Sequence, residues 1–405
     1  MIPIAEAFRL IKETVTPLST ETVPLSQAVG RVLASDIASD VDSPPHDKSV
    51  MDGYAIRSAD IVSEGTELAV VETIVAGAWP EKSIGSGESA RIMTGAPLPK
   101  GADAVIMIEQ TESSSDDAVK INVDSVESGK HIMRKASSLS TGRTVFNAGH
   151  QVRPTDIGLL AEVGAHEVSV YKKPSIAVLP TGDELVSSAE IPGLGQIRNS
   201  NGPMLVAMNR GLGLEVNDLG IGRDNESDLQ AAIERGLESD VLILSGGVSA
   251  GLLDLVPGIL QKLGVRQVFH KVAVKPGKPL WFGVLEKDQS RTYVFGLPGN
   301  PVSSLVGFRV FVRTAINLMM NLPSPEPQSV KAELAVAHDV RGNRPTYWPG
   351  RWVSSATETR KVEPIGWQGS SDLRALGSAE VLIMLASEPS HHPAGEIVDV
   401  YQLAY

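Results

Sequence analysis

Four short loops hold most of the residues able to do chemistry in this chain. The first, Leu179-Pro180-Thr181-Gly182-Asp183-Glu184-Leu185, puts carboxylates directly after an apolar run, where they could hold a metal or a substrate hydroxyl. The second, Ser245-Gly246-Gly247-Val248-Ser249-Ala250-Gly251, leads on to Asp254. Its glycines let a ligand approach the backbone, whose N–H groups can cradle an anion. The third, Lys275-Pro276-Gly277-Lys278-Pro279, carries two cations on a turn stiffened by prolines. The fourth, Leu297-Pro298-Gly299-Asn300-Pro301, feeds into a helix start, and a helix N-terminus favours an anion. Each of the first three loops alone also reads as an ordinary turn, the glycine-rich one more often so than not, and Asn300-Pro301 as simply a helix start. Four of them at successive strand ends of one sheet would converge along one edge, where such sheets bind ligands. No nucleophile with a companion base stands out, as a covalent hydrolase would require. His46 and the His391-His392 pair read as surface residues without a role.

The elements that must position these loops alternate from residue 174 onward. The pattern predicts strands at 175–179, 215–221, 241–244, 267–273, 280–284 and 292–295, with helices at 203–209, 228–237 and 255–263. Asn300 should cap a helix running to about residue 322, with Pro301 at its first position. That helix is apolar nearly all round, so it belongs in a core or a subunit interface. Strands alternating with helices predict a doubly wound, mostly parallel sheet. Upstream, a helix is expected at 4–13, a helical turn at 26–33 and a helix at 156–163. Between them lies a glycine- and serine-rich insert with predicted strands at 67–76, 89–93 and 104–109. Residues 324–327 read as a linker to a separate, strand-rich last segment.

Composition sets the outer limits. A chain of 405 residues should hold two to four domains. The net charge of -12 argues against nucleic acid as a partner, because phosphate neutralisation needs a basic face. A small anionic substrate stays compatible with it if lysines cluster locally. There is no cysteine, hence no disulfide and no thiolate metal site. No apolar run approaches the ~18 residues of a membrane span, and the amphipathic start lacks the layout of a signal peptide. A cytoplasmic location is expected.

Two further motifs sit in the insert: Met51-Asp52-Gly53-Tyr54-Ala55 and Met93-Thr94-Gly95-Ala96-Pro97. With the four loops, in this order, they resemble the molybdopterin molybdenumtransferase family, which includes the C-terminal domain of gephyrin. Gln368-Gly369-Ser370-Ser371-Asp372-Leu373 fits the same pattern, so the resemblance runs to about residue 400. It implies a transferase that inserts molybdate into the dithiolene of adenylylated molybdopterin, releases AMP and uses Mg²⁺. It implies four domains: residues 1–48 with 140–172 as a small N-terminal mixed (linking) domain, 49–139 as the β-rich insert, 173–323 as the α/β molybdopterin-binding domain, and 324–405 as a C-terminal β-barrel-like domain. It also implies a homodimer whose cleft is shared between subunits, and allows a contact with the molybdopterin adenylyltransferase. Carried over, Asp52, Thr94, Glu184, Asp224, Asp254, Lys275 and Lys278 would be catalytic, with Glu184, Asp224 and Asp254 on the metal. Thr181, Gly182, Asp183, Ser245, Gly246, Gly247, Ser249, Pro298, Gly299 and Asn300 would bind substrate. One departure stands out: Ser137-Ser138 occupies the place of the family's acidic pair. Hence the alternatives of an impaired paralogue or non-catalytic scaffold, and of the adenylyltransferase itself, whose usual Gly-Gly-Thr-Gly turn is absent here.

Overall fold

The computed structural model describes residues 1–115, 117–248, 255–287, 290–354 and 360–403. The chain forms two compact units, Val23–Val168 and Met1–Thr22 with Ser169–Tyr405.

Unit 23–168 is built on six strands: β1 (Gly53–Ile56), β2 (Thr66–Ile74), β3 (Glu88–Ile92), β4 (Ala104–Met107), β5 (Thr111–Ser115) and β6 (Ala118–Ile121). Their order is β4-β1-β3-β2-β6-β5, antiparallel except for the β2–β3 pair. Alternation along the strands fills both faces: Tyr54, Ile56 and Ile106 pack on one side, Ala55, Val105 and Ile92 on the other. Gly53 is required where β1 meets β4, since a Cβ there would lie 1.8 Å from the Ile106 carbonyl oxygen. The helical turn expected at 26–33 is confined to Leu25–Gln27. Val32 and Leu33 pair instead with the backbone of residues 150–151, which outbids a local turn.

The second unit holds a six-stranded sheet of β7 (Ile176–Pro180), β8 (Val216–Asp218), β9 (Val241–Ser245), β10 (Arg266–His270), β11 (Trp281–Lys287) and β12 (Ser290–Leu297), in the order β8-β7-β9-β12-β11-β10. The first four neighbours run parallel; β11 and β10 are antiparallel. Odd and even positions of each buried strand feed opposite cores. Ile176, Val178, Val241, Ile243 and Phe295 pack beneath α1 (Ile4–Thr14), α2 (Asn201–Gly211) and the helix that follows Asn300. Ala177, Leu179, Leu242, Leu244 and Val294 pack beneath α3 (Glu226–Gly236) and α4 (Leu255–Lys262). This is the doubly wound arrangement, with helices on both faces. Asn225 caps α3 by accepting the Asp228 N–H at 2.9 Å. Helix α2 starts at Asn201, ahead of the expected Pro203, because proline costs nothing in a first turn, where N–H groups lack intrahelical partners.

The helix after Asn300, α5, runs from Pro301 to Met319. It is α-helical at Pro301–Gly307, opens into one wide π turn at Phe308–Val312 and closes again at Arg313–Met319. Asn321 ends it in the left-handed conformation (φ 56°). Contrary to the expectation from run length, α5 is long and apolar enough to cross a membrane by composition. Its most apolar window is 83% buried inside the structure, which marks it as a core helix. Asn300 occupies the cap position but its side chain makes no capping bond. It donates instead to Ser370 Oγ at 2.9 Å, a correction to the expected cap.

The last segment is a closed five-stranded barrel: β13 (Val330–Leu334), β14 (Thr346–Val353), β15 (Lys361–Pro364), β16 (Val381–Leu385) and β17 (Ile397–Gln402), joined as β13-β15-β14-β16-β17. Its core is aliphatic, with Leu334, Val362, Ile383 and Val400 fully buried. Outward-facing Tyr347 and Leu382 join the core around α5.

Candidate active site

The parallel strands β7, β9 and β12 end side by side, at Pro180, Ser245 and Leu297. Because β11 is antiparallel, its beginning lies at that same edge, with Trp281 opposite Gly296. All four loops picked out from the sequence therefore reach one edge of one sheet.

Three of them line a cleft of about 680 Å³, to which the third loop adds only Pro279. Its walls include Thr181, Gly182, Glu184, Asp224, Ser245, Gly246, Gly247, Pro298, Gly299 and Asn300. Gly246 (φ 99°) and Gly247 (φ 63°) are both left-handed, and a Cβ on Gly246 would lie 2.5 Å from the Thr181 carbonyl oxygen. The starts of α2 and α5, at Asn201 and Pro301, also reach the cleft, and their dipoles favour an anion there.

Asp183 is not among the lining residues. It forms a latch with Asp224: the Asp224 N–H donates to the Asp183 carboxylate at 3.0 Å, and the Asp183 N–H donates to Asp224 at 3.2 Å. Arg223 adds bonds to the carbonyls of Asp183 and Leu185, at 3.2 and 3.0 Å. The latch fixes the turn and brings the Glu184 carboxylate over Gly182, where a Cβ would lie 2.4 Å from it. Asp254 and Ser249 lie outside the described residues.

Lys275 and Lys278 line a second cleft of about 520 Å³, which shares Pro279, Pro298 and Asn300 with the first. Arg344, Ser370 and two indoles, Trp348 and Trp367, complete its wall. The indoles meet edge to face at 4.8 Å. Lys275 Nζ donates to the Arg341 carbonyl at 2.7 Å, and its backbone bridges to Thr346, which fastens this loop to the barrel. Sequence reasoning missed Arg344, Trp348 and Trp367, which lie 66 or more residues from Lys278 and meet the lysine loop only in the folded chain.

In unit 23–168, Asp52 Oδ1 accepts from the backbone N–H and the hydroxyl of Thr94, at 2.6 and 2.8 Å. Those two bonds, the backbone one first, hold the Asp52 carboxyl below its ordinary range. Ser137 and Ser138 sit in a turn tied by backbone bonds to Arg134 and Ser43.

Among the described residues no group of three or more His, Cys, Asp or Glu side chains is arranged to hold a metal. Glu184 and Asp224 line one cleft, and that donor set suits Mg²⁺, which takes one or two carboxylates and completes its shell with phosphate oxygens and water.

Three families of known proteins match this chain in sequence order. They are the MoeA N-terminal region (domain I and II) over residues 2–164, a probable molybdopterin binding domain over 177–317, and the MoeA C-terminal region (domain IV) over 331–403. A molybdopterin molybdenumtransferase of Staphylococcus aureus is 35% identical, across 98% of this chain and 95% of its own length. The chain belongs to the molybdopterin molybdenumtransferase family.

A second such relative, from Staphylococcus epidermidis, is 34% identical over the same shares of the two chains. Among solved structures, a molybdopterin biosynthesis MoeA protein from Pyrococcus horikoshii superposes with a TM-score of 0.82 at 31% identity, covering 99% of each chain. A molybdenum cofactor biosynthesis protein from Pyrococcus furiosus shares the fold at 18% identity, with a TM-score of 0.58 over 99% of both chains. Membership over this length makes the protein a transferase of molybdenum cofactor biosynthesis and sets aside the adenylyltransferase alternative. The first cleft falls within the stretch matched by the probable molybdopterin binding domain, apart from Ser371 and Leu373.

Proposed function

We propose that this transferase moves molybdenum from molybdate onto the dithiolene sulfurs of adenylylated molybdopterin and releases AMP, assisted by Mg²⁺. The observation that carries the reading is the pairing of two adjoining clefts of opposite character on one sheet edge. The first offers glycine backbone, helix starts and the carboxylates Glu184 and Asp224, which would suit a pyrophosphate that arrives with a metal ion. The second offers Lys275, Lys278 and Arg344, which suit a bare tetrahedral dianion such as molybdate.

In this mechanism one molybdate oxygen leaves as water, taking the two dithiol protons, while two Mo–S bonds form. One water cleaves the pyrophosphate link, giving AMP and the pterin monophosphate. Mg²⁺, held by Glu184, Asp224 and, in this proposal, Asp254, would neutralise charge on the non-bridging oxygens. The Asp183–Asp224 latch keeps the turn that carries Glu184 against Asp224. The left-handed Gly246–Gly247 turn lets the phosphates approach the backbone closely, and the lysines hold molybdate beside the sulfurs, a gain of proximity rather than of covalent catalysis. Substrate contacts are assigned to Thr181, Gly182, Ser245, Gly246, Gly247, Ser249, Pro298, Gly299 and Asn300, while Asp183 acts through its latch to Asp224.

The active form is a cytoplasmic homodimer in which the Asp52–Thr94 loop of one subunit completes the cleft of the other. It has the four-domain division 1–48 with 140–172, 49–139, 173–323 and 324–405, and it receives substrate from the adenylyltransferase. The deciding experiment incubates the purified protein with adenylylated molybdopterin, molybdate and Mg²⁺. AMP release that depends on molybdate supports the reading; a protein that binds the substrate yet yields no AMP is a scaffold, and the proposal fails. Sedimentation showing an active monomer would remove the shared cleft.

A further inference from the structure

Behind the glycine turns of the first cleft lies a polar cluster centred on Asn201, a residue to which the chemistry above gives no part. Asn201, the first residue of α2, is 93% buried there, its relative exposure being 7%. Its Nδ2 donates to Ser245 Oγ and to the Gly299 carbonyl, both at 2.8 Å, with a longer contact of 3.4 Å to Ser304 Oγ. Ser304 in turn donates to the Pro298 carbonyl at 2.6 Å, and the two serine hydroxyls lie 3.2 Å apart. One amide thus joins the end of β9, the turn before α5 and the first turns of α5.

The amide's orientation is fixed by chemistry. A carbonyl can only accept, so the atom facing Gly299 is the nitrogen. The other half of the amide, Oδ1, is buried without a hydrogen-bond partner. An unmet buried acceptor costs roughly 1–3 kcal/mol. Serine or alanine at this position would avoid that cost, so the donor half must be worth keeping. Two of its three acceptors belong to loops that line the cleft, since Ser245 directly precedes Gly246-Gly247 and Gly299 precedes the start of α5; the third, Ser304, lies in α5 itself. The loops also approach each other closely, since a Cβ on Gly299 would sit 3.8 Å from Gly246 Cα.

We propose that Asn201 is a positioning residue of the cleft, a single amide that sets the spacing between the Gly246–Gly247 cradle and the Pro298–Asn300 turn. It touches no reacting atom in this role. The effect on turnover rests on the reading of the cleft given above; the effect on the loops does not.

The test therefore has two arms. Hydrogen–deuterium exchange is measured first, on the unliganded full-length protein, for Asn201→Ala and for Asn201→Asp, which keeps the size but presents an oxygen to the Gly299 carbonyl. Exchange should rise about tenfold or more in both 245–248 and 298–304 together, with 226–236 unchanged. Exchange that rises only in 201–211, or nowhere, overturns the proposal whatever the substrate is. Ser304→Ala, which removes one member of the cluster, should raise exchange in 298–304 and add little further when combined with Asn201→Ala; full additivity would argue against a shared tie. The second arm is steady-state AMP release. The KM for adenylylated molybdopterin should rise about fivefold or more, while that for molybdate stays within about twofold, a split that general destabilisation would not produce. Loose loops with both KM values unchanged would overturn the positioning role and leave the insertion reading intact.

Discussion

The two clefts share a wall of Pro279, Pro298 and Asn300 and differ in almost everything else. One is backbone-rich and carries carboxylates, and its shape depends on consecutive left-handed glycines. The other is lined by long cations and indoles and rests on the barrel. In a chain of net charge -12, a local excess of cations marks a place for an anion that arrives without a metal. Carboxylates beside N–H donors mark the opposite case, an anion that arrives with one. On the proposed reading, a single sheet edge holds two anionic substrates side by side without merging them, because each wall suits a different counter-charge.

The largest effect should come from removing charge in the first cleft. Asp224→Asn keeps an acceptor for the Asp183 N–H, so the latch survives. AMP release should fall about a hundredfold, the scale of one lost electrostatic group in an active site, and the loss should deepen as Mg²⁺ is lowered. A variant that responds to molybdate instead of Mg²⁺ would break the division of labour between the clefts. Next in size is Lys275→Ala. The molybdate concentration for half-maximal insertion should rise about tenfold, the worth of one charge-assisted hydrogen bond, with the Mg²⁺ requirement unmoved. Failure of excess molybdate to restore the rate would mean that the lysine serves folding or the pterin substrate.

Much of this was legible beforehand, and the reasons for success and failure are physical. The parallel strands are continuous apolar runs, and the loops at their ends are punctuated by glycine and proline, so both sheet and edge could be read from 174 onward. Asn201 could not. It looks like any helix start, and its importance rests on Ser245 and Ser304, 44 and 103 residues away. Arg344, Trp348 and Trp367 were hidden for the same reason, since only closure of the barrel brings them to the lysine loop. Asn300 was misread because local propensity favours capping, whereas Ser370 offers its side chain a tertiary partner.

A smaller effect concerns Asp52, which stands in the other unit. Its folded-state pKa is depressed, so its contribution to stability is present above the ordinary carboxylate value of about 3.9 and is lost as pH falls through the lower folded value. Thr94→Val removes the hydroxyl bond and leaves the backbone one. The Asp52 pKa, followed by NMR, should move upward yet stay below the ordinary value; no movement would mean the hydroxyl contributes nothing. The smallest effect is expected at Thr181, whose buried hydroxyl has no hydrogen-bond partner. Thr181→Val is nearly isosteric and relieves an unmet polar atom, so the melting temperature should hold or rise slightly. A drop of several degrees would reveal a bond that the fold supplies to this hydroxyl.

The wide turn at Phe308–Val312 reaches beyond the helix that contains it. A π turn amounts to one surplus residue in an otherwise α-helical run, so it acts as a phase adjuster between two halves of α5. Ahead of it, Ser303 lines the lysine–indole cleft and Ser304 joins the cluster around Asn201. Behind it, Ala315, Ile316 and Met319 fill the core shared with α1 and β12. Removing one residue from the turn would restore regular geometry and swing everything downstream by about 100°. Either the serines or the core residues would then face the wrong way. The irregular turn lets one rod satisfy two partners whose angular demands differ, which explains why a deeply buried segment tolerates a break in its hydrogen-bond ladder.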